Sequence, residues 1–182
     1  MITNENIIKE GNEILRKVAE PVSVPISRSD LSTGKKMLKY LEYSQDEKKA
    51  EKYKLTPGVG LAAPQIAISK RFFAVLCGDD NGEIIEYVVY NPEIIAESVQ
   101  MEYLCNGEGC LSVPGKSGVV LRHKKIKVKG IFYYPLTGEL KEDKRTFSGY
   151  PAIVFQHEFD HLNGVLFIDK LTNNVKDAEA IN

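Results

Sequence analysis

Residues 149–164 read GYPAIVFQHEFDHLNG. Pro151 suits the first turn of a helix and Gly164 suits its stop, so the spacing predicts one helix over 149–162. Ala152, Ile153, Val154, Phe155, Phe159 and Leu162 cover most of its circumference. A helix that is apolar nearly all round is buried against other elements. Yet this one carries two of the three histidines in the chain, His157 and His161, with Glu158 beside the first. Residues i and i+4 share one helix face, so both imidazoles can reach one divalent ion at roughly 2.0–2.1 Å. Glu158 lies about 100° round the helix and can accept a proton from a water beside that ion without being a ligand. That is the physical content of H-E-x-x-H. The competing reading is a buried helix with two histidines that need polar partners.

Working outward, the chain turns strand-like from residue 71. The stretches 71–77 (RFFAVLC), 84–90 (IIEYVVY) and 94–103 are rich in β-branched and aromatic residues, and Asn91-Pro92 punctuates them. Residues 125–134 and 139–147 flank the turn Leu136-Thr137-Gly138 and predict a hairpin. Further upstream, 12–20 (NEILRKVAE) predicts a short helix stopped by Pro21. Asp30 suits the cap of a second helix containing Met37, Leu38 and Leu41. That helix runs into the charged 45–54 (QDEKKAEKYK), read as a solvated helix end or loop. Strands followed by a late helix favour an α+β fold.

The bulk composition is that of an ordinary globular chain. It has 182 residues, 43% hydrophobic and 27% charged, with a net charge of −1. This length fits one domain, 1–182. The charge gives no basic footprint for nucleic acid and no field for a membrane surface. The N-terminus has no apolar signal core, and no run approaches the roughly 18–20 apolar residues of a span. The expectation is a cytoplasmic protein. Three cysteines argue for reduced thiols and against a disulfide framework. Cys77 in its apolar strand reads as core, and Cys105 as structural.

A catalytic ion needs three protein ligands and an open position. One group of proteases continues the motif as H-x-x-G-x-x-H, but Phe167 stands where that histidine would be. Another takes a downstream glutamate, and Glu179, in a polar tail, is the sole Glu downstream. Upstream, EGCLS (108–112) places Cys110 among small and polar neighbours, and a thiolate suits zinc or ferrous iron. GVGLAAPQ (58–65) allows close backbone approach through its glycines and offers the Gln65 amide as a donor. It fails as a dinucleotide fingerprint at Ala63. The plain alternative is a tight turn into a packed loop.

In this order and spacing, GVGLAAPQ, EGCLS and QHEFDH resemble the three signature motifs of the peptide deformylases. The resemblance runs from about residue 14 to 169, and LRKVAEPV resembles the family's usual start. It implies antiparallel sheets surrounding a central buried helix that carries HEFDH. It implies a hydrolase that removes the formyl group from N-formylmethionine on newly made proteins. By position, Cys110, His157 and His161 would bind the metal, usually Fe²⁺, with Zn²⁺, Ni²⁺ or Co²⁺ able to replace it. Glu158 would be the base, and Gln65 and the Leu111 N–H would be the oxyanion donors. Val59 and Gly60 would line the substrate backbone, with Val59, Tyr150, Ile153, Val154 and His157 around the methionine side chain. Glu108, Arg122 and Asp160 would orient the ligands, and His123 reads as a surface histidine. Expected partners are the formylated ends of nascent chains and, transiently, the ribosome, with the protein a monomer.

The long segment before GVGLAAPQ resembles the insertions of the class common in Gram-positive bacteria, whereas 110–122 lacks the extra residues expected there. The geometry around 116–118 is therefore open. Two other functions compete: an H-E-x-x-H zinc protease, and a metal- or peptide-binding protein without catalysis on the same fold.

Overall fold

The computed structural model describes residues 1–182. Two helices come first, α1 (Arg28–Gln45) and α2 (Glu47–Tyr53). Nine strands follow: β1 (Gly60–Ala62), β2 (Phe72–Gly78), β3 (Ile84–Glu97), β4 (Met101–Leu104), β5 (Glu108–Cys110), β6 (Val113–Gly118), β7 (Arg122–His123), β8 (Lys125–Tyr134) and β9 (Glu139–Ser148). Helix α3 (Tyr150–Leu162) and strand β10 (Ala178–Ile181) complete the chain. The result is an α+β fold with three sheets.

The largest sheet runs β1-β2-β3-β8-β9, and every pair in it is antiparallel. Its side chains alternate between two cores, as the period of two requires. Phe72, Ala74, Val88 and Tyr90 pack on one face with Met37, Leu38 and Leu41 of α1. Phe73, Val75, Tyr87 and Val89 pack on the other with Ala152, Val154, Phe155 and Leu162 of α3. The sheet thus separates the two long helices. Phe155 meets Phe73 edge-on and stacks on Phe147, with ring centroids 5.4 and 3.9 Å apart.

Local chemistry differs from the sequence reading in five places. The stretch 12–20 contains only a 3₁₀ turn, Glu13–Arg16, capped by the Asn12 side chain. Helix α1 is capped by Ser27, whose Oγ accepts from the Asp30 N–H at 3.0 Å. Asp30 sits one turn inside and bonds Lys70 at 2.6 Å. Asn91-Pro92 does not end a strand. Asn91 takes a positive φ of 49°, bonds both Val22 N–H and C=O, and β3 passes through as one bulged strand. Cys105 is exposed, whereas Cys77 is buried as expected.

The last departure is β10, which the polar tail did not suggest. It adds to β4 as the one parallel pair in an otherwise antiparallel set, with Glu179 opposite Glu102. On its other side β4 pairs with β7, with Glu102 opposite Arg122. Glu102 is completely buried there, and neither carboxylate oxygen has a hydrogen-bond partner. Burial pushes its carboxyl up to about 7; Lys124 opposes this, and Glu179 and Asp80 add to it.

A carboxyl whose folded pKa is raised favours the folded state most below its unfolded value, roughly 4.3. That contribution is lost as pH rises toward 7. Glu102→Gln keeps the shape and removes the charge. Its melting temperature relative to the parent should therefore climb between pH 4.5 and 8, to a gain of about 4 °C at pH 8. Thermal unfolding of both proteins across that range checks this.

Candidate metal centre and active site

Two separate stretches converge on one point. Strand β5 supplies Cys110, and α3 supplies His157 and His161. Their ligand atoms all lie within 4.8 Å of one another. Cys110 Sγ stands 3.3 Å from His161 Nε2. Tetrahedral zinc with its usual bond lengths separates neighbouring donors by about 3.3–3.6 Å, so these residues fit a divalent ion of that size. One thiolate and two imidazoles form a donor set suited to zinc or ferrous iron.

The His157 imidazole is oriented for this by a hydrogen bond, whereas His161 Nδ1 is buried without a partner. His157 Nδ1 lies 2.8 Å from Glu108 Oε2, which leaves its Nε2 facing inward. Glu108 receives Arg122 as well, through Nε at 2.7 Å and Nη2 at 2.8 Å. Arg122 Nη1 reaches Asp160 Oδ2 at 2.5 Å, one helical turn from His157. Lys170 closes the chain on both Asp160 oxygens at 2.8 Å. Glu108 and Arg122 are 4% and 2% exposed, so neither charge has water to fall back on. Burial acts to raise the Glu108 carboxyl, but hydrogen bonds from Arg122 and then His157 bring it down to about 2. Burial likewise pulls His157 down, and its bonds to Cys110 and Glu108 reverse this and lift it to about 10. Burial holds His161 well below the usual range, and the neighbouring His157 and Arg122 add to that. A histidine ligates only when neutral, so metal uptake here is coupled to loss of a proton.

A cavity of about 600 Å³ opens beside the cluster. Val59, Gly60, Gln65, Glu108, Cys110 and Leu111 line it, and so do Tyr150, Ile153, Val154, His157 and Glu158. Arg122, Asp160 and His161 stand behind this surface. Glu158 is 4% exposed, and its Oε2 has no hydrogen-bond partner. Burial pushes its carboxyl up to about 7, against the pull of His157. Gly60 lies against it: a Cβ at that position would overlap the Glu158 carboxylate. Gln65 Oε1 accepts from the Ala62 N–H at 2.8 Å, and its Nε2 points to Cys110 Sγ at 3.5 Å and Ser112 Oγ at 3.2 Å. The amide is thereby locked with its N–H side toward the cluster.

The two protease routes to a third ligand are closed. Phe167 is 1% exposed and stacks on His157, with ring centroids 6.1 Å apart. Glu179 lies on β10 and pairs with Lys124. His123 is less of a surface residue than expected: its ring meets Ser98 O at 2.7 Å and Glu97 at 3.3 Å. Three contributors were not singled out in the sequence. Ser112 receives Gln65. Gln156 bonds the His123 backbone through both ends of its amide, at 3.0 and 2.9 Å, tying α3 to β7. Lys170 neutralises Asp160. The first two lie inside or beside the motifs already quoted; nothing marks Lys170.

A largely covered cysteine–histidine–histidine group with an adjacent buried carboxylate, at the floor of an open cleft, defines the class as a metal-dependent hydrolase. The particular family follows from comparison. The polypeptide deformylase family matches residues 4–177, and the chain belongs to it. Peptide deformylase of Halalkalibacterium halodurans is 51% identical, over 94% of this chain and 92% of its own. Peptide deformylase 2 of Bacillus subtilis is 48% identical, over 98% and 96%. These and most of the similar relatives come from Gram-positive bacteria. Among solved structures, peptide deformylase from Thermotoga maritima superposes with a TM-score of 0.68 at 38% identity, over 91% of this chain and 96% of that one. A Met-Ala-Ser-bound class I type b peptide deformylase from Acinetobacter baumannii gives 0.69 at 35%, over 91% and 96%. The protein is accordingly an enzyme that removes the N-formyl group from nascent peptides. No helix is long and apolar enough to cross a membrane.

Arg122→Met should leave Glu108 and Asp160 as buried charges without their partner. Stability should fall by about 3–5 kcal/mol in urea unfolding. Metal affinity should fall by roughly 10–100-fold, read by competition with a chelator.

Proposed function

We propose that Cys110, His157 and His161 hold one ferrous ion, with zinc, nickel or cobalt able to stand in, and that Glu158 is the base for hydrolysis of the formamide. In this reading residues 1–182 form one catalytic domain, with α3 as its central helix between the sheets. The observation that carries it is the convergence of the three ligand atoms beside the unpaired oxygen of Glu158. When bound, the ion acts as a Lewis acid and makes water a stronger acid.

The chain's own groups do the rest. Glu158 takes a proton from the attacking water and passes one to the departing amine nitrogen, so the products are formate and a free N-terminus. A carboxyl lifted to about 7 suits both halves of that task. Negative charge develops on the formyl oxygen, and the Gln65 amide and the Leu111 N–H are its donors. Gln65 needs no reorganisation, because Ala62 and Ser112 already fix its orientation.

The open edge of β1 takes the substrate backbone. One edge of β1 pairs with β2; an extended peptide adds along the other through main-chain hydrogen bonds. The methionine side chain sits among Val59, Tyr150, Ile153, Val154 and His157, which line one wall of the cleft. The Met-Ala-Ser seated in the Acinetobacter relative supports a peptide in this place. The enzyme works in the cytoplasm as a monomer, meeting formylated chains as they leave the ribosome.

The test is formate release from formyl-Met-Ala-Ser by protein purified without oxygen and loaded with Fe²⁺. Glu158→Gln should keep its metal and lose turnover by at least about 10²-fold. Near-normal turnover in that variant would remove Glu158 from the mechanism.

A further inference from the structure

The ladder between β1 and β2 is interrupted where the cleft begins, and a side chain from outside the three motifs interrupts it. Gly60 pairs with Val75, so the same register continues to Val59 opposite Leu76. Half of that next pair forms: the Leu76 N–H donates to the Val59 carbonyl at 2.8 Å. In a complete antiparallel pair the Val59 N–H would donate back to the Leu76 carbonyl. Here Gln45, the last residue of α1, takes that carbonyl with its Nε2 at 2.9 Å. The same Nε2 holds the Gly58 carbonyl at 2.9 Å. On the other side of the Gly58 residue, its N–H donates to Ser44 Oγ at 3.2 Å, and Ser44 is 1% exposed. The Val59 N–H has no acceptor within the protein. Val59 and Gln45 both line the cleft.

We propose that Gln45 is a positioning residue for the substrate: by holding the Gly58 and Leu76 carbonyls with one amide it turns the Gly58–Val59 peptide out of the β1–β2 ladder, so that the Val59 N–H faces the cleft and donates to the peptide backbone there. Ser44 and Gln45 together grip Gly58 from both sides. The last turn of α1 thus sets the binding edge without touching the reacting atoms. This rests on the reading of β1 as the substrate edge.

Two variants test it. Gln45→Met keeps the length of the side chain and has no donor. Gln45→Glu keeps the shape and sets a carboxylate against two carbonyl oxygens. In both, the Val59 N–H is expected to close onto the Leu76 carbonyl, completing the pair. KM for formyl-Met-Ala-Ser should rise about tenfold, the value of one backbone hydrogen bond, with kcat within twofold. Metal content should match the parent, and the melting temperature should fall by only about 2–6 °C, the cost of the lost hydrogen bonds. Amide hydrogen exchange gives an independent reading. In the parent the Val59 amide exchanges fast and is protected by the product peptide Met-Ala-Ser; in Gln45→Met it is protected without peptide.

Unchanged KM and unchanged Val59 exchange in an active variant would overturn the role of Gln45 alone. A parent whose Val59 exchange ignores Met-Ala-Ser would overturn the edge reading, and a metal-loaded parent that releases no formate would overturn the mechanism. A fall in kcat together with lost metal would make Gln45 a structural residue and overturn the proposal.

Discussion

The Glu108 carboxylate is shared between Arg122 and His157, and the site cannot be assembled without it. It lies in an interior where an unpaired charge is worth several kcal/mol of destabilisation. Arg122 answers it with two hydrogen bonds and carries the network on to Asp160, which sits on the same helix as His157 and His161. Helix α3 is therefore pinned to β7 at two levels, through Arg122–Asp160 and through Gln156 on the His123 backbone. The rotation of that helix about its axis follows, and with it the direction of both imidazoles. The apolar residues of α3 supply the driving force for burial. The polar network decides which way the helix faces when buried.

Close packing makes the cleft as specific as the polar network does. Gly60 has no side chain, and the Glu158 carboxylate fills the space a Cβ would need. Gly58 packs against Leu111, where a Cβ would come within 3.0 Å of its side chain. The two glycines bring the chain entering β1 up to the Glu158 carboxylate on one side and to Leu111, the residue after Cys110, on the other.

How much of this the sequence discloses depends on how local the cause is. The pairing of His157, His161 and Glu158 is legible because helical spacing alone brings them together. The hairpin of β8 and β9 is legible because its turn and its alternation lie within twenty-odd residues of chain. The joining of Cys110 to that helix is legible only through the resemblance of three motifs, since no local rule links residue 110 to 157. Where tertiary bonds override local signals, the reading fails. Asn91 continues a strand because its side chain replaces backbone partners at Val22. Asp30 is drawn inward by Lys70, so Ser27 takes the cap. β10 forms on a polar tail because β4 offers an open edge, which only the assembled fold creates. Gln45 reads as part of a charged surface run, and its two carbonyl partners come from elements 13 and 31 residues away.

X-ray absorption at the metal edge of the zinc-loaded protein measures the ligand set most directly. One sulfur at about 2.3 Å and two imidazole nitrogens at about 2.0–2.1 Å are predicted. The sulfur should vanish from any zinc retained by Cys110→Ser. A first shell with no sulfur, or with a third imidazole or a carboxylate in its place, would contradict the assignment of Cys110 and with it the whole arrangement of the site.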